Sequence, residues 1–120
     1  MTPTEIISAD IQAHGKDPQA DLNAINAAVQ AKKGFIMQSG NTVLFLLMIS
    51  PEAAELHLYT QDRPIAVGKA LKEFIDGIRK SGIKVVYGSE DVPQLQQLVS
   101  NLGLQAEPSD NPKYKWMART

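Results

Sequence analysis

Between Glu55 and Gly82 the hydrophobic pattern changes period. Leu56 and Leu58 alternate with Glu55, His57 and Tyr59, the two-residue repeat of a strand with one buried face. Beyond Gln61-Asp62-Arg63-Pro64 the apolar positions Val67, Leu71, Phe74, Ile75 and Ile78 recur at helical spacing, and Lys69, Lys72, Glu73, Asp76, Arg79 and Lys80 fill the other side. Pro64 suits a first helical turn, where a missing N–H is no loss, and Gly82 suits the position just past a helix end. The stretch predicts a strand running into a long helix. The turn between them, containing Arg63, Ala66 and Gly68, sits at the positive end of a helix dipole and is a natural anion site.

The flanking chain extends this pattern. Thr2-Pro3-Thr4-Glu5 reads as a capping box that starts a short helix carrying Ile6, Ile7 and Ile11 and ending at Gly15. A second helix starts at Asp17-Pro18, carries Leu22, Ile25, Ala28 and Val29, and ends at Lys32-Lys33-Gly34. Three strands are predicted next. They are Phe35–Met37, the continuous apolar run Thr42–Ile49 expected to be buried on both faces, and Ala54–Thr60. The links Gln38-Ser39-Gly40-Asn41 and Ser50-Pro51-Glu52 are short enough to require an antiparallel meander.

After the long helix, Ile83–Tyr87 predicts a strand parallel to Ala54–Thr60, because a crossover helix separates the two. A last helix capped at Ser89–Pro93 carries Leu95, Leu98, Val99 and Leu102 and stops at Gly103. Strands at Leu104–Glu107 and Lys113–Arg119, joined by a turn at Pro108–Pro112, complete the order ααβββαβαββ, a mixed α/β sheet covered by helices.

Composition narrows the chemistry. A chain of 120 residues, 43% hydrophobic, predicts one domain with one core. A net charge of −1 gives no general attraction to nucleic acid or an anionic membrane. With no cysteine, thiolate nucleophiles and cysteine metal sites are excluded, and His14 and His57 lack metal-ligand spacing. The longest apolar run, Val43–Ile49, is too short to span a bilayer, and the first residues do not read as a signal peptide. The expectation is a soluble cytoplasmic protein.

At these residues the chain resembles the GCN5-related N-acetyltransferase (GNAT) superfamily, over roughly residues 4–119 and without that family's first strand. Glu55-Leu56-His57-Leu58-Tyr59 is similar to the family's fourth strand, and Arg63–Leu71 to its acyl-CoA pyrophosphate turn. Ser81–Tyr87 and Leu102-Gly103-Leu104 resemble the next strand and the close of the last helix. The resemblance implies acetyl-CoA as cofactor. Arg63, Ala66, Gly68 and Lys69 would face its phosphates, and Leu58 and Tyr59 would offer backbone to the pantetheine. The sequence departs from the family at three points: Ala66 replaces a glycine, Pro64 removes a turn N–H, and Val99 stands where a tyrosine usually protonates the leaving thiolate.

Glu55 and His57 share one strand face, as general base and partner for an amine acceptor or as a plain solvent-facing or interface surface. Tyr87, Tyr114 and Trp116 can line an acceptor pocket or simply pack. Two functions follow from the resemblance. The departures favour a non-catalytic structural or interaction protein, similar to the small acetyltransferase-like proteins of tailed bacteriophages and held by protein partners or self-assembly in a virion or the host cytoplasm. The alternative is a minimal acetyl-CoA-dependent N-acetyltransferase.

Overall fold

The computed structural model describes residues 1–88, 100 and 103–120. Helix α1 (Pro3–Ala13) opens with the predicted capping box: the Glu5 N–H donates to Thr2 Oγ1 at 3.2 Å and the Thr2 N–H to Glu5 Oε1 at 2.9 Å. Helix α2 (Gln19–Gln30) starts where Asp17 Oδ1 accepts the Gln19 N–H. Strands β1 (Gly34–Ser39), β2 (Thr42–Ser50) and β3 (Ala53–Thr60) form the predicted antiparallel meander. Gly40, at φ 59°, turns the first hairpin in the left-handed region that suits glycine.

Helix α3 (Pro64–Lys80) crosses back over the sheet, and β4 (Val85–Gly88) pairs with β3 in parallel. Strands β5 (Ala106–Pro108) and β6 (Trp116–Arg119) close a six-stranded sheet of order β1-β2-β3-β4-β6-β5. The predicted strand that crosses over and rejoins its own sheet is therefore present. The predicted last helix, with Leu95, Leu98, Val99 and Leu102, lies outside the described residues.

Two apolar clusters sit on the two faces of the sheet. Leu44, Leu46, Leu56 and Leu58 pack with Val67, Ala70, Leu71, Phe74, Ile75 and Ile78 of α3. Val43, Phe45 and Tyr59 pack with Ile6, Ile7 and Ile11 of α1 and Ile25 of α2. The strand period of two thus sorts β2 and β3 between the helical layers. Burial on both faces of β2 holds only for Thr42–Leu46: Leu47 and Met48 are half-buried, and Ile49 is 44% exposed because neither cluster reaches it.

The two final strands are shorter than the pattern predicts. Leu104 and Tyr114 are buried but lie outside them, so their apolar character serves loop packing and not ladder pairing.

A polar clamp fixes where β3 becomes α3. Thr42, fully buried, donates its hydroxyl to Asp62 Oδ2 at 2.8 Å and lies 2.8 Å from Thr60 Oγ1. The Asn41 N–H donates to the same Asp62 oxygen at 2.9 Å, and the Asp62 N–H donates to Thr60 Oγ1. The first hairpin therefore holds the residue immediately before the Arg63 cap of α3.

Candidate active site

Strand β3 builds the site from its edge, its end and one face. At the edge, three contacts fix the direction of the backbone groups. The Gln61 N–H turns toward the β2 hairpin and donates to the Asn41 carbonyl at 2.9 Å. The Thr60 N–H turns away and donates to Asp10 Oδ2 of α1 at 2.7 Å. At the other end the Glu52 carbonyl accepts from Lys84 and Val85, on the β4 side. Backbone groups alternate sides along a strand, so those of Leu56 and Leu58 point away from β2 and those of His57 and Tyr59 toward it. Pairing with β4 ends at Glu55–Tyr87, while β3 continues to Thr60. Among the described residues, no strand covers the edge at Leu56 and Leu58.

At its end, β3 leads into an uncapped helix. Arg63 is the N-cap of α3 and makes no side-chain cap bond. Pro64 has no N–H, and the Val67 N–H already bonds the Arg63 carbonyl, which among the described residues leaves the Ile65 and Ala66 N–H groups for an outside acceptor. Arg63, Ala66 and Lys69 are exposed and Gly68 is half-buried. This arrangement fits a phosphate-bearing cofactor: two donors, a dipole end and the cations Arg63 and Lys69 lie within the first two turns.

On the α2 side of the sheet, a pocket of about 220 Å³ lies between α2 and β2–β3. Glu55, His57 and Tyr59 reach it from β3, Phe45 and Leu47 from β2, and Asp21, Ala24, Ile25 and Ala28 from α2. Glu55 and His57, two residues apart in sequence, are brought into contact: His57 Nε2 lies 2.5 Å from Glu55 Oε1. The other carboxylate oxygen accepts from Tyr114 Oη at 2.7 Å.

Tyr114 stacks on Tyr87 with ring centroids 5.0 Å apart, and Tyr87 Oη donates to Asp110. Burial pulls the Glu55 pKa upward, but the hydrogen bonds from Tyr114 and His57 outweigh it and hold the carboxyl below its usual value. Burial, the Glu55 hydrogen bond and the Glu55 charge together push Tyr114 up to about 12. At neutral pH the phenol is a donor and the carboxylate an acceptor. The role of Tyr114 at Glu55 is invisible in the sequence, since no spacing links residues 59 positions apart.

The crossover from β3 through α3 to β4, with the strands parting beyond Glu55, decides the architecture. The fold is that of the GCN5-related N-acetyltransferases. An acetyltransferase from Streptococcus agalactiae aligns with a TM-score of 0.58 at 18% identity, over 85% of this chain and 75% of that one. YncA from Salmonella typhimurium, solved with its cofactor acetyl-CoA, aligns with a TM-score of 0.62 at 12% identity, over 98% and 88%. The N-acetyltransferase PseH of Campylobacter jejuni, in complex with acetyl coenzyme A, gives 0.53 at 11%, over 85% and 77%. No family model and no curated protein matches this GNAT-fold chain.

Proposed function

We propose that this chain is a small acetyl-CoA-dependent N-acyltransferase acting on an amine. The observation that carries the reading is β3 itself. Its Leu56–Leu58 edge is unpaired among the described residues and leads straight to an uncapped helix start, while its other groups line a pocket. Like-folded proteins solved with acetyl-CoA support the same cofactor here. These observations favour an enzyme over the virion scaffold expected from the sequence.

The Ile65 and Ala66 N–H groups, with Arg63 and Lys69, hold the pyrophosphate, and Gly68 allows close approach. Leu58 offers backbone to the pantetheine; Tyr59 contributes its side chain to the pocket instead. Acetyl-CoA supplies an acetyl group already activated as a thioester.

On the pocket side, Glu55 is ionised and can only accept, so the hydrogen between it and His57 sits on Nε2. His57 Nδ1 then keeps its lone pair and takes a proton from the acceptor ammonium, which frees the amine for attack; as the amide C–N bond forms the thioester C–S bond would break, and the second proton lost from the nitrogen would end on the departing CoA sulfur. Glu55 orients the base and stabilises it once charged. The remaining rate gain comes from holding amine and thioester together.

Isothermal titration with acetyl-CoA, then CoA release across a panel of amines, tests the reading. Micromolar affinity with amine-dependent release is expected. Affinity weaker than about 1 mM, a binding energy near −4 kcal/mol, with no release overturns it.

A further inference from the structure

We infer that Tyr114, in the loop before β6, is a positioning residue for the His57 base, acting through Glu55. The inference rests on the proposed acetyl transfer only for its effect on rate; the contact itself stands on geometry. Glu55 is the last β3 residue paired with β4, so its side chain projects where the two strands part. A carboxylate there, held only by His57, can rotate about its side-chain torsions and release the imidazole. Tyr114 removes that freedom. Its hydroxyl takes Oε2 at 2.7 Å and leaves Oε1 for His57 Nε2.

Tyr114 is itself fixed on several sides. It is 6% exposed and stacked on Tyr87, its own N–H bonds the Asn111 carbonyl, and the neighbouring Lys115 N–H bonds the Gly88 carbonyl. A phenol locked this way costs little further entropy to hold the carboxylate.

The other groups around the imidazole do not replace it. Asp21 lines the pocket from α2, Phe45 offers a ring 6.0 Å away from β2, and Tyr59 stands on β3. Lys113 lies over the Tyr114 ring, 5.6 Å from its centroid. Only Tyr114 donates to Glu55 opposite His57 among the described residues.

The test is nitrogen NMR of the His57 ring and carbon NMR of the Glu55 carboxyl, on the full chain without acetyl-CoA. In the wild type the neutral ring is expected as the Nε2–H tautomer by more than about tenfold, the weight of one hydrogen bond to a charged group. In Tyr114→Phe, which keeps the Tyr87 stack, the tautomers mix and the Glu55 pKa rises. Tyr114→3-fluorotyrosine, a stronger donor of nearly the same size, lowers the Glu55 pKa further, so the answer does not hang on one variant's folding.

In amine acetylation, Tyr114→Phe lowers kcat by about tenfold and leaves the KM for acetyl-CoA unchanged. An unchanged tautomer ratio and an unmoved Glu55 pKa in both variants overturn the inference, whether or not acetyl transfer occurs. Tautomer mixing in a protein that transfers no acetyl group upholds the contact and sinks the proposed reaction instead.

Discussion

Tyr114 Oη donates to Glu55 Oε2 at 2.7 Å and ties the last loop of the chain to the middle of the sheet. The bond shifts the two partners in opposite directions, and each shift has a stability consequence. The Glu55 carboxyl titrates lower folded than unfolded, so its contribution is full above the ordinary 4.5 and is lost as pH falls through the folded value. Tyr114 titrates higher folded, so its contribution is full below the ordinary 10.0 and is lost as pH rises toward about 12. Denaturant unfolding across both windows is expected to show stability falling at each end. In Tyr114→Phe the alkaline fall flattens. An alkaline limb equally steep in the variant assigns that loss to other groups.

The start of α3 separates binding from folding. Ala66 is the third residue of the helix, where a carboxylate is favourable to the dipole and to the free N–H groups. Ala66→Glu is therefore expected to leave the melting temperature unchanged or raise it slightly. The same carboxylate stands where the cofactor phosphates would approach. Acetyl-CoA affinity, read by titration calorimetry, should fall at least about tenfold, the scale of 1.4 kcal/mol. Retained affinity in a folded Ala66→Glu protein would move the phosphates elsewhere.

The path from strand to helix was legible because local rules agreed there. Leu56 and Leu58 mark one face of a strand, Pro64 fixes the first helical turn, and the spacing from Val67 to Ile78 names the face that α3 buries. The parallel return at Val85 followed from the connection alone. Other features depend on partners far away in sequence. Which β3 backbone groups face outward shows in contacts to Asp10 and Asn41, and the hydrogen bonds that hold the Glu55 carboxyl below its usual value, against burial, come from Tyr114 and His57. Hydrophobic periodicity carries no trace of either. It also overran the end strands, because Leu104 and Tyr114 are buried by packing outside any ladder.

The clamp at the end of β3 predicts a coupling between the first hairpin and the cofactor turn. Thr42→Val keeps the shape of the side chain but removes the hydroxyl that donates to Asp62 Oδ2. The change removes the hydroxyl's contacts to both Asp62 and Thr60, which costs about 1–3 kcal/mol and lowers the unfolding midpoint in urea. The Asp62 carboxylate keeps the Asn41 N–H and its backbone N–H keeps Thr60 Oγ1, but the residue before Arg63 gains freedom. Acetyl-CoA binding should weaken too, although residue 42 lies outside the proposed cofactor site. Normal binding in the destabilised variant would mean that the clamp serves stability alone.

The His57 base predicts a pH-dependent loss of activity. Removing a general base costs roughly a hundredfold or more in turnover when the acceptor arrives as an ammonium ion. His57→Ala should show that loss near neutral pH. Raising the pH deprotonates the free amine, so the deficit should shrink in alkaline buffer, whereas a purely structural defect would persist. The ratio of wild-type to variant kcat/KM, measured as pH rises, is the check. A ratio that does not change with pH removes His57 from the chemistry.

The close of the sheet at β4 and β6 turns on one glycine. Gly88 pairs with Trp116, whose indole packs against it; a methyl group on Gly88 would overlap Cε2, Nε1 and Cζ2 of the ring. Trp116 is 3% exposed within the α3 cluster, so it has no space into which to rotate. Gly88→Ala is therefore expected to cost about 1–3 kcal/mol through overpacking, although alanine is otherwise a mild change in a strand. The Gly88 carbonyl also receives the Lys115 N–H next to Tyr114, so a displaced β4–β6 pairing should disturb the Tyr114–Glu55 contact. Tryptophan fluorescence reports the indole and Glu55 carboxyl NMR reports the contact. Both signals should move together in Gly88→Ala, and a Trp116 shift without any change at Glu55 would uncouple the sheet edge from the site.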